Sequence, residues 1–189
     1  RTASYFYMPV LESASMIPLE TRHAALAEVR DRLAEVSDTI LNIRVGGNDL
    51  SHAFGLRRPV DRTIYDLGPV AAILTDIVTA FGTEYVVSGP VWEYYAGPGW
   101  EEGLRRELEL DLLNGFTGKT VIHPSQIPVV NEMLRVSSRD YADARSILNW
   151  DKDGLVAASR DGERMNEYNT HYNWARRIVL RAERYGTKP

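Results

Sequence analysis

Four times in succession this chain runs a short segment rich in β-branched and aromatic residues into a polar loop, and three of those segments are followed by a clear helical repeat of apolar positions. Strand, loop and helix in fixed alternation is the order in which helical crossovers join neighbouring parallel strands, so the sequence reads as a parallel α/β protein. Residues 4–11 (SYFYMPVL) are the first strand, and 21–36 the first helix, with Ala25, Leu26, Val29, Leu33 and Val36 at three- and four-residue steps. Residues 39–45 (TILNIRV) are the second strand. It runs into Gly46, Gly47, Asn48 and Asp49, read as a polar loop in which small residues let the chain turn. Residues 68–81 form a helix with Pro69 near its start and Gly82 just past its end.

Residues 84–88 (EYVVS) are a third strand, followed by an aromatic, Gly/Pro-rich loop and a helix over 101–113 that carries Leu104, Leu108 and Leu112. Residues 120–122 are the fourth strand. Helices near 127–136 and 140–148, an extended stretch at 155–159 and a last helix to about Tyr185 complete the chain. Two architectures suit this order. A doubly wound sheet is complete with four or five strands, whereas an eight-stranded barrel takes about 250 residues, so that here only its second half would be present. Periodicity does not choose between them. The chain starts at Arg1 and enters a core strand almost at once, which suits a beginning partway through a larger fold.

Composition narrows the function. With no cysteine there is no disulfide framework, no thiolate metal site and no thiol nucleophile. The balance of 26 acidic against 22 Lys and Arg residues gives a net charge of −4, a poor coat for nucleic acid or an anionic membrane. The longest apolar stretch, 5–11, is far short of the roughly 20 residues of a membrane helix, and no basic cleavable leader is present. The expectation is a cytoplasmic protein without nucleic-acid or membrane partners.

In parallel α/β folds the chemistry gathers at the C-terminal ends of the strands. Those positions hold Glu12 after strand one, Asn48, Asp49, Ser51 and His52 after strand two, Ser88 and Glu93 after strand three, and Lys119 and His123 around strand four. Glu12 and Asp49 on adjacent strand ends suit a hard divalent ion, which takes one or two carboxylates and leaves positions for water and substrate oxygens. The plainer alternative is that Glu12 caps the following helix and Asp49 caps a turn. GFTGK at 115–119 fails as a phosphate loop because only two residues separate its glycines, and DKDG at 151–154 fails as a calcium loop. His23 and His171 read as surface residues, and Arg176, Arg177, Arg181 and Arg184 as a solvated helix face.

Beyond spacing, the run GFTGKTVIHPSQI at 115–127 resembles the signature of the HpcH/HpaI aldolase and citrate lyase β-subunit family, with its relatives that cleave malyl- and citramalyl-type thioesters. The flanking order agrees. MPVLESA at 8–14 resembles that family's strand ending in Glu, and VGGNDL at 45–50, followed by GLRR at 55–58, its strand ending in Asp. Glu107 falls where the family places a helical Glu, and RTIYD at 62–66 looks closer to the C–C bond lyase branch than to citrate lyase itself.

The resemblance implies a TIM (β/α)8 barrel of the phosphoenolpyruvate/pyruvate-like type, with residues 1–136 its later β/α units and 137–189 a C-terminal helical extension or lid. It implies Glu12 and Asp49 as Mg2+ ligands, the ion stabilising an enolate as a carbon–carbon bond breaks or forms. Lys119, His123 and the backbone of Gly47 and Asn48 would shape the substrate end. The substrate would be a small oxo- or hydroxy-acid or its CoA thioester, and the protein a homo-oligomer, trimer or hexamer. The family's substrate-clamping Arg belongs to an early strand that this chain does not contain. A catalytic lid Asp corresponds here to Asn166 in DGERMNE at 161–167, so Glu167 or Asp161 substitutes, or the protonation step differs. The alternative is a non-catalytic barrel homologue with a binding or assembly role.

Overall fold

The computed structural model describes residues 5–150, 156–159 and 161–189. It divides into two compact units, Arg1–Val130 and Asn131–Pro189. The stretch 151–154 rejected as a calcium loop, and the start of the 155–159 extension, lie outside the described residues.

The first unit is built on a parallel sheet of β1 (Val10–Leu11), β2 (Ile43–Val45), β3 (Val87–Gly89) and β4 (Gly118–Lys119), in the spatial order 1-2-3-4. The connecting helices include α1 (Leu19–Ala34), α2 (Gly47–Ala53), α3 (Gly68–Phe81) and α4 (Trp100–Leu113). A doubly wound sheet reverses its strand order at a switch point, whereas strands added strictly in sequence make the wall of a barrel. This sheet is of the second kind.

Strand alternation separates the two faces. Leu11, Ile43, Val45 and Val87 are buried against the helices, with Val70, Ile73, Leu74, Ile77 and Phe81 of α3 facing them at helical steps. Arg22 fastens α1: its guanidinium bonds Asp76 of α3 at 2.9 Å and the Met16 carbonyl at 2.7 Å. The opposite face of the sheet is polar, where the Asn42 amide donates to Ser88 Oγ at 3.1 Å and Arg44 Nε to Thr120 Oγ1 at 3.4 Å.

Three expectations from sequence are corrected. Residues 46–49 are not a loop: Gly46 caps α2, and Asn48 and Asp49 stand in its first turn. Gly47 is there for close packing, since a Cβ on it would meet Pro90 Cβ at 2.5 Å and Ile64 Cδ1 at 2.6 Å. The fourth strand lies at Gly118–Lys119, earlier than 120–122, because Gly118 fits beside Ser88, whose Oγ would be 2.8 Å from an added Cβ. The Thr120 N–H still donates to the Gly89 carbonyl at 3.1 Å before the chain turns into His123-Pro124. The first strand is short, its earlier residues contributing only a bridge between Tyr7 and Ile40.

α5 (Gln126–Met133) spans the division between the units, and Val136, expected in that helix, is instead the start of a strand. In the second unit α6 (Ser138–Leu148) and α7 (Tyr168–Tyr185) pack through Ala144, Ile147, Ala175, Ile178 and Ala182. β5 (Val136–Ser137) pairs in parallel with β8 (Thr187–Lys188), and β6 (Ala157–Ala158) pairs with β7 (Met165–Asn166) in an antiparallel ladder. Of the four α7 arginines, Arg181 is half-buried, and desolvation lowers its pKa. Among the described residues no helix is long and apolar enough to cross a membrane.

Candidate active site

The register sets Leu11 beside Val45, so the next residues of the two strands, Glu12 and Gly46, are neighbours at the C-terminal edge. A Cβ on Gly46 would come 2.3 Å from Glu12 Oε2 and 2.4 Å from its Cβ. The Glu12 side chain therefore occupies the space that the missing side chain leaves, over the end of β2. Asp49 follows in the first turn of α2. Both acids are exposed, and among the described residues neither carboxylate has a hydrogen bond or ion pair. The capping alternative is not what the structure contains. Ser13, not Glu12, caps the 3-10 turn Ala14–Met16, and Gly46 rather than Asp49 is the N-cap of α2.

Beneath these strand ends lies a buried chain of charges that spacing did not reveal. Arg58 is 1% exposed, and its Nε stands 3.0 Å from Glu107 Oε2. Lys119 Nζ donates to Glu107 Oε1 and to Asp111 Oδ2, both at 2.8 Å. The Ile64 N–H donates to Glu107 Oε2 at 2.8 Å, and Tyr65 Oη to Asp111 Oδ1 at 2.7 Å. Two cations thus face two carboxylates. Burial works against the Lys119 ammonium, but Asp111 and Glu107 outweigh it and hold its pKa above the ordinary lysine value. Burial raises Asp111 against the pull of Lys119, and burial with the Asp111 charge raises the Tyr65 phenol.

Arg58 also ties the loops together. Its Nη2 donates to the Val91 carbonyl, its Nη1 lies 3.5 Å from Asn48 Oδ1 and 3.9 Å from Glu93 Oε1, and its guanidinium covers the Trp92 ring at 5.2 Å. Glu93 takes a further bond from exposed Arg57 at 2.8 Å.

The residues expected at the substrate end divide accordingly. Asn48 is half-buried beside Arg58 and Gly47 is packed under Pro90. The Lys119 side chain is fully buried, its ammonium committed to Glu107 and Asp111. His123 is exposed at the sheet end, stacked on Tyr95 with centroids 4.5 Å apart. Its Nδ1 lies 2.9 Å from Ser125 Oγ and 3.2 Å from the Ser125 N–H, so that edge of the ring is held by its own loop. Gln126 fixes this loop to its neighbour, donating to the Trp92 and Tyr94 carbonyls at 2.9 Å each.

Asp161, Asn166 and Glu167 belong to the second unit. Asp161 Oδ1 accepts from Ser159 Oγ at 2.5 Å and from the Glu163 N–H at 3.2 Å, and Oδ2 pairs with Arg139 at 2.6 Å. The Ser159 bond foremost, then the Glu163 amide and Arg139, lowers its pKa. Asn166 is buried in β7 opposite Ala157. Glu167 stands at the N-cap position of α7 without a side-chain capping bond; its Oε2 accepts from Thr170 Oγ1 at 3.2 Å, and its own N–H donates to His171 Nδ1 at 3.0 Å.

The family model described as C-C bond lyase of the TIM-barrel fold matches residues 1–187. The chain belongs to this family. A (3S)-malyl-CoA thioesterase of Cereibacter sphaeroides is 32% identical over 143 residues, 74% of this chain and 47% of that protein. Among solved structures, the Mycobacterium tuberculosis CitE protein in complex with magnesium, acetoacetate and coenzyme A superposes with a TM-score of 0.64 at 24% identity, covering 94% of this chain and 61% of that one. A citrate lyase from Burkholderia xenovorans LB400 gives a TM-score of 0.63 at 18% identity, covering 95% and 53%. The chain thus spans about half the length of the curated relatives it matches. At these identities the two structures establish the fold, and the four-stranded sheet is an arc of a TIM barrel.

Proposed function

We propose that this chain supplies the metal-binding carboxylates of a Mg2+-dependent carbon–carbon bond lyase or aldolase acting on a small oxo- or hydroxy-acid or its coenzyme A thioester. One observation carries the reading: Glu12 and Asp49, without hydrogen-bond or ion-pair partners among the described residues, stand around Gly46 at adjacent strand ends. No group of three His, Cys, Asp or Glu side chains gathers among the described residues. Two carboxylates with the remaining positions left to water and substrate oxygens is a donor set that suits Mg2+. The ion would supply Lewis-acid stabilisation of the negative charge that develops when the bond breaks. Around it, Asn48 is oriented by Arg58, and the exposed His123 ring, held by Ser125 through Nδ1, would shape the substrate end. The magnesium, acetoacetate and coenzyme A of the CitE structure, and the malyl-CoA chemistry of the curated relatives, support this class of substrate.

The proton step favours a second reading. An Asn amide has no proton to shuttle as a carboxyl does, and the Asp161 carboxylate is engaged by Ser159 and Arg139. A homologue that binds metal and acid without turnover has that pattern.

The test is Mn2+ binding by calorimetry together with turnover on a panel of 2-oxo acids and 3-hydroxyacyl thioesters, using the full-length protein and its Asp49→Asn variant. The expected result is metal-dependent turnover in the parent, with both properties lost in the variant. Equal Mn2+ affinity in the two would overturn the ligand assignment, and metal binding without turnover across the panel would establish the second reading.

A further inference from the structure

We infer that Arg58 is a positioning residue of the metal site: it fastens the first turn of α2, and with it the Asp49 carboxylate, to a buried charge on α4. The inference rests on the Glu12 and Asp49 metal reading and adds what sets the geometry of that site.

Asp49 is the third residue of a helix only seven residues long. A helix that short has little stability of its own, so the direction of its first turn is set by what the turn touches. Both residues before Asp49 are gripped. Gly47 is packed against Pro90 and Ile64, and Asn48 Oδ1 accepts from Arg58 Nη1 at 3.5 Å. The two grips lead back to one carboxylate. The Ile64 N–H donates to Glu107 Oε2 at 2.8 Å, while Arg58 stands 3.0 Å from the same oxygen through Nε and donates to Oε1 from Nη2 at 3.3 Å. Glu107 is completely buried on α4, so water does not take over either contact.

Arg58 joins that anchor to the strand ends. Its Nη2 also donates to the Val91 carbonyl just past β3, its guanidinium covers the Trp92 ring, and its own carbonyl accepts from Tyr94 Oη at 3.1 Å. One planar group therefore spans α4, the end of β3 and the first turn of α2. A guanidinium does this because its five N–H donors lie in a fixed fork, whereas an ammonium is a point charge that can answer Glu107 without reaching Val91 and Asn48 as well. Every partner in the arrangement lies between Gly47 and Glu107, so it is complete within the described arc of the barrel.

The test reads Mn2+ affinity by calorimetry and stability by urea unfolding, on the full-length protein. Arg58→Lys keeps a cation for Glu107 and gives up the fork. It should bind Mn2+ about tenfold or more weakly, the scale on which groups behind a metal ligand act. Asn48→Ala cuts the same link from its other end without touching the buried charges and should lose a similar factor. The double variant should lose no more than the larger single loss, because the two changes break one connection. Asp111→Asn controls for stability alone: it weakens the charge chain at the Lys119 end, away from Arg58, and should leave Mn2+ affinity within about twofold. Parental Mn2+ affinity in Arg58→Lys would overturn the inference, as would independent, multiplying losses in the double variant. So would an Asp111→Asn loss of Mn2+ affinity equal to that of Arg58→Lys, since both would then act through stability. Should Arg58→Lys not fold, parental Mn2+ affinity in Asn48→Ala overturns the inference by itself. Failure of the metal reading is distinct: it appears as unchanged Mn2+ affinity in Asp49→Asn and removes the inference with it.

Discussion

Glu107→Gln isolates the energetics of the buried charge chain. Glu107 is completely buried and accepts from three sources: Arg58 Nη2 at 3.3 Å, Lys119 Nζ at 2.8 Å and the Ile64 N–H at 2.8 Å. Glutamine keeps the shape and one acceptor oxygen but sets an NH2 group against at least one of those donors. It also leaves Lys119 with Asp111 alone and Arg58 with only the more distant Glu93, 3.9 Å away. Breaking a buried ion pair by neutralising one partner costs about 3–5 kcal/mol, because the partner cation stays buried without compensation. Native proteins have only about 5–15 kcal/mol in hand, so the variant should approach the threshold of folding. Urea unfolding at 25 °C, followed by far-UV circular dichroism and tryptophan emission, measures the loss directly. A protein of this size should lose about 6–20 °C in melting temperature. The control is Arg32→Ala, which removes an exposed pair with Glu28 at 2.5 Å and should cost at most about 0.5 kcal/mol. If Glu107→Gln cost no more than that control, the buried chain would carry no stability and the reasoning would fail.

Two further outcomes follow from the site geometry. Gly46→Ala puts a Cβ where Glu12 Oε2 now lies, 2.3 Å away, so the carboxylate must swing aside. Mn2+ affinity should fall by about tenfold or more with the circular dichroism spectrum unchanged, and full affinity in Gly46→Ala would remove Glu12 from the ligand set. Asp161, with its pKa lowered from 3.8 by Ser159, the Glu163 amide and Arg139, contributes stability that is present above that value and is lost as pH falls through the lower folded-state value. Carboxyl NMR titration should show Asp161 below 3.8 in the parent and shifted upward in Ser159→Ala. Coincident titration curves would show that Ser159 does not hold it.

The architecture was largely open to reading because its signals are local. α3 begins and ends where Pro69 and Gly82 mark it, and its buried residues recur at helical steps. What periodicity left undecided was which sheet the strands build, since strand order is a tertiary property that hydrogen-bonded register alone supplies. The strand-end rule set Glu12 and Asp49 at one edge, where they do lie, because parallel topology forces those positions there. The loop reading of 46–49 misread Gly47, whose freedom from a Cβ serves contact with Pro90 and Ile64 rather than a turn. Nothing within five or six residues of Gly47 announces either neighbour.

Lys119 was misjudged for a related reason, and its case indicates where a signal did exist. A lysine beside a strand end looks like a substrate contact unless its counter-charges are identified, and those lie 8 and 12 residues earlier on α4. Glu107 and Asp111 are one helical turn apart and flank Leu108 on the face that carries Leu104, all four buried. Carboxylates within an apolar helical stripe are too costly to bury unless cations meet them, so their spacing required at least one buried basic partner from elsewhere in the chain. Arg58 and Lys119 are those partners.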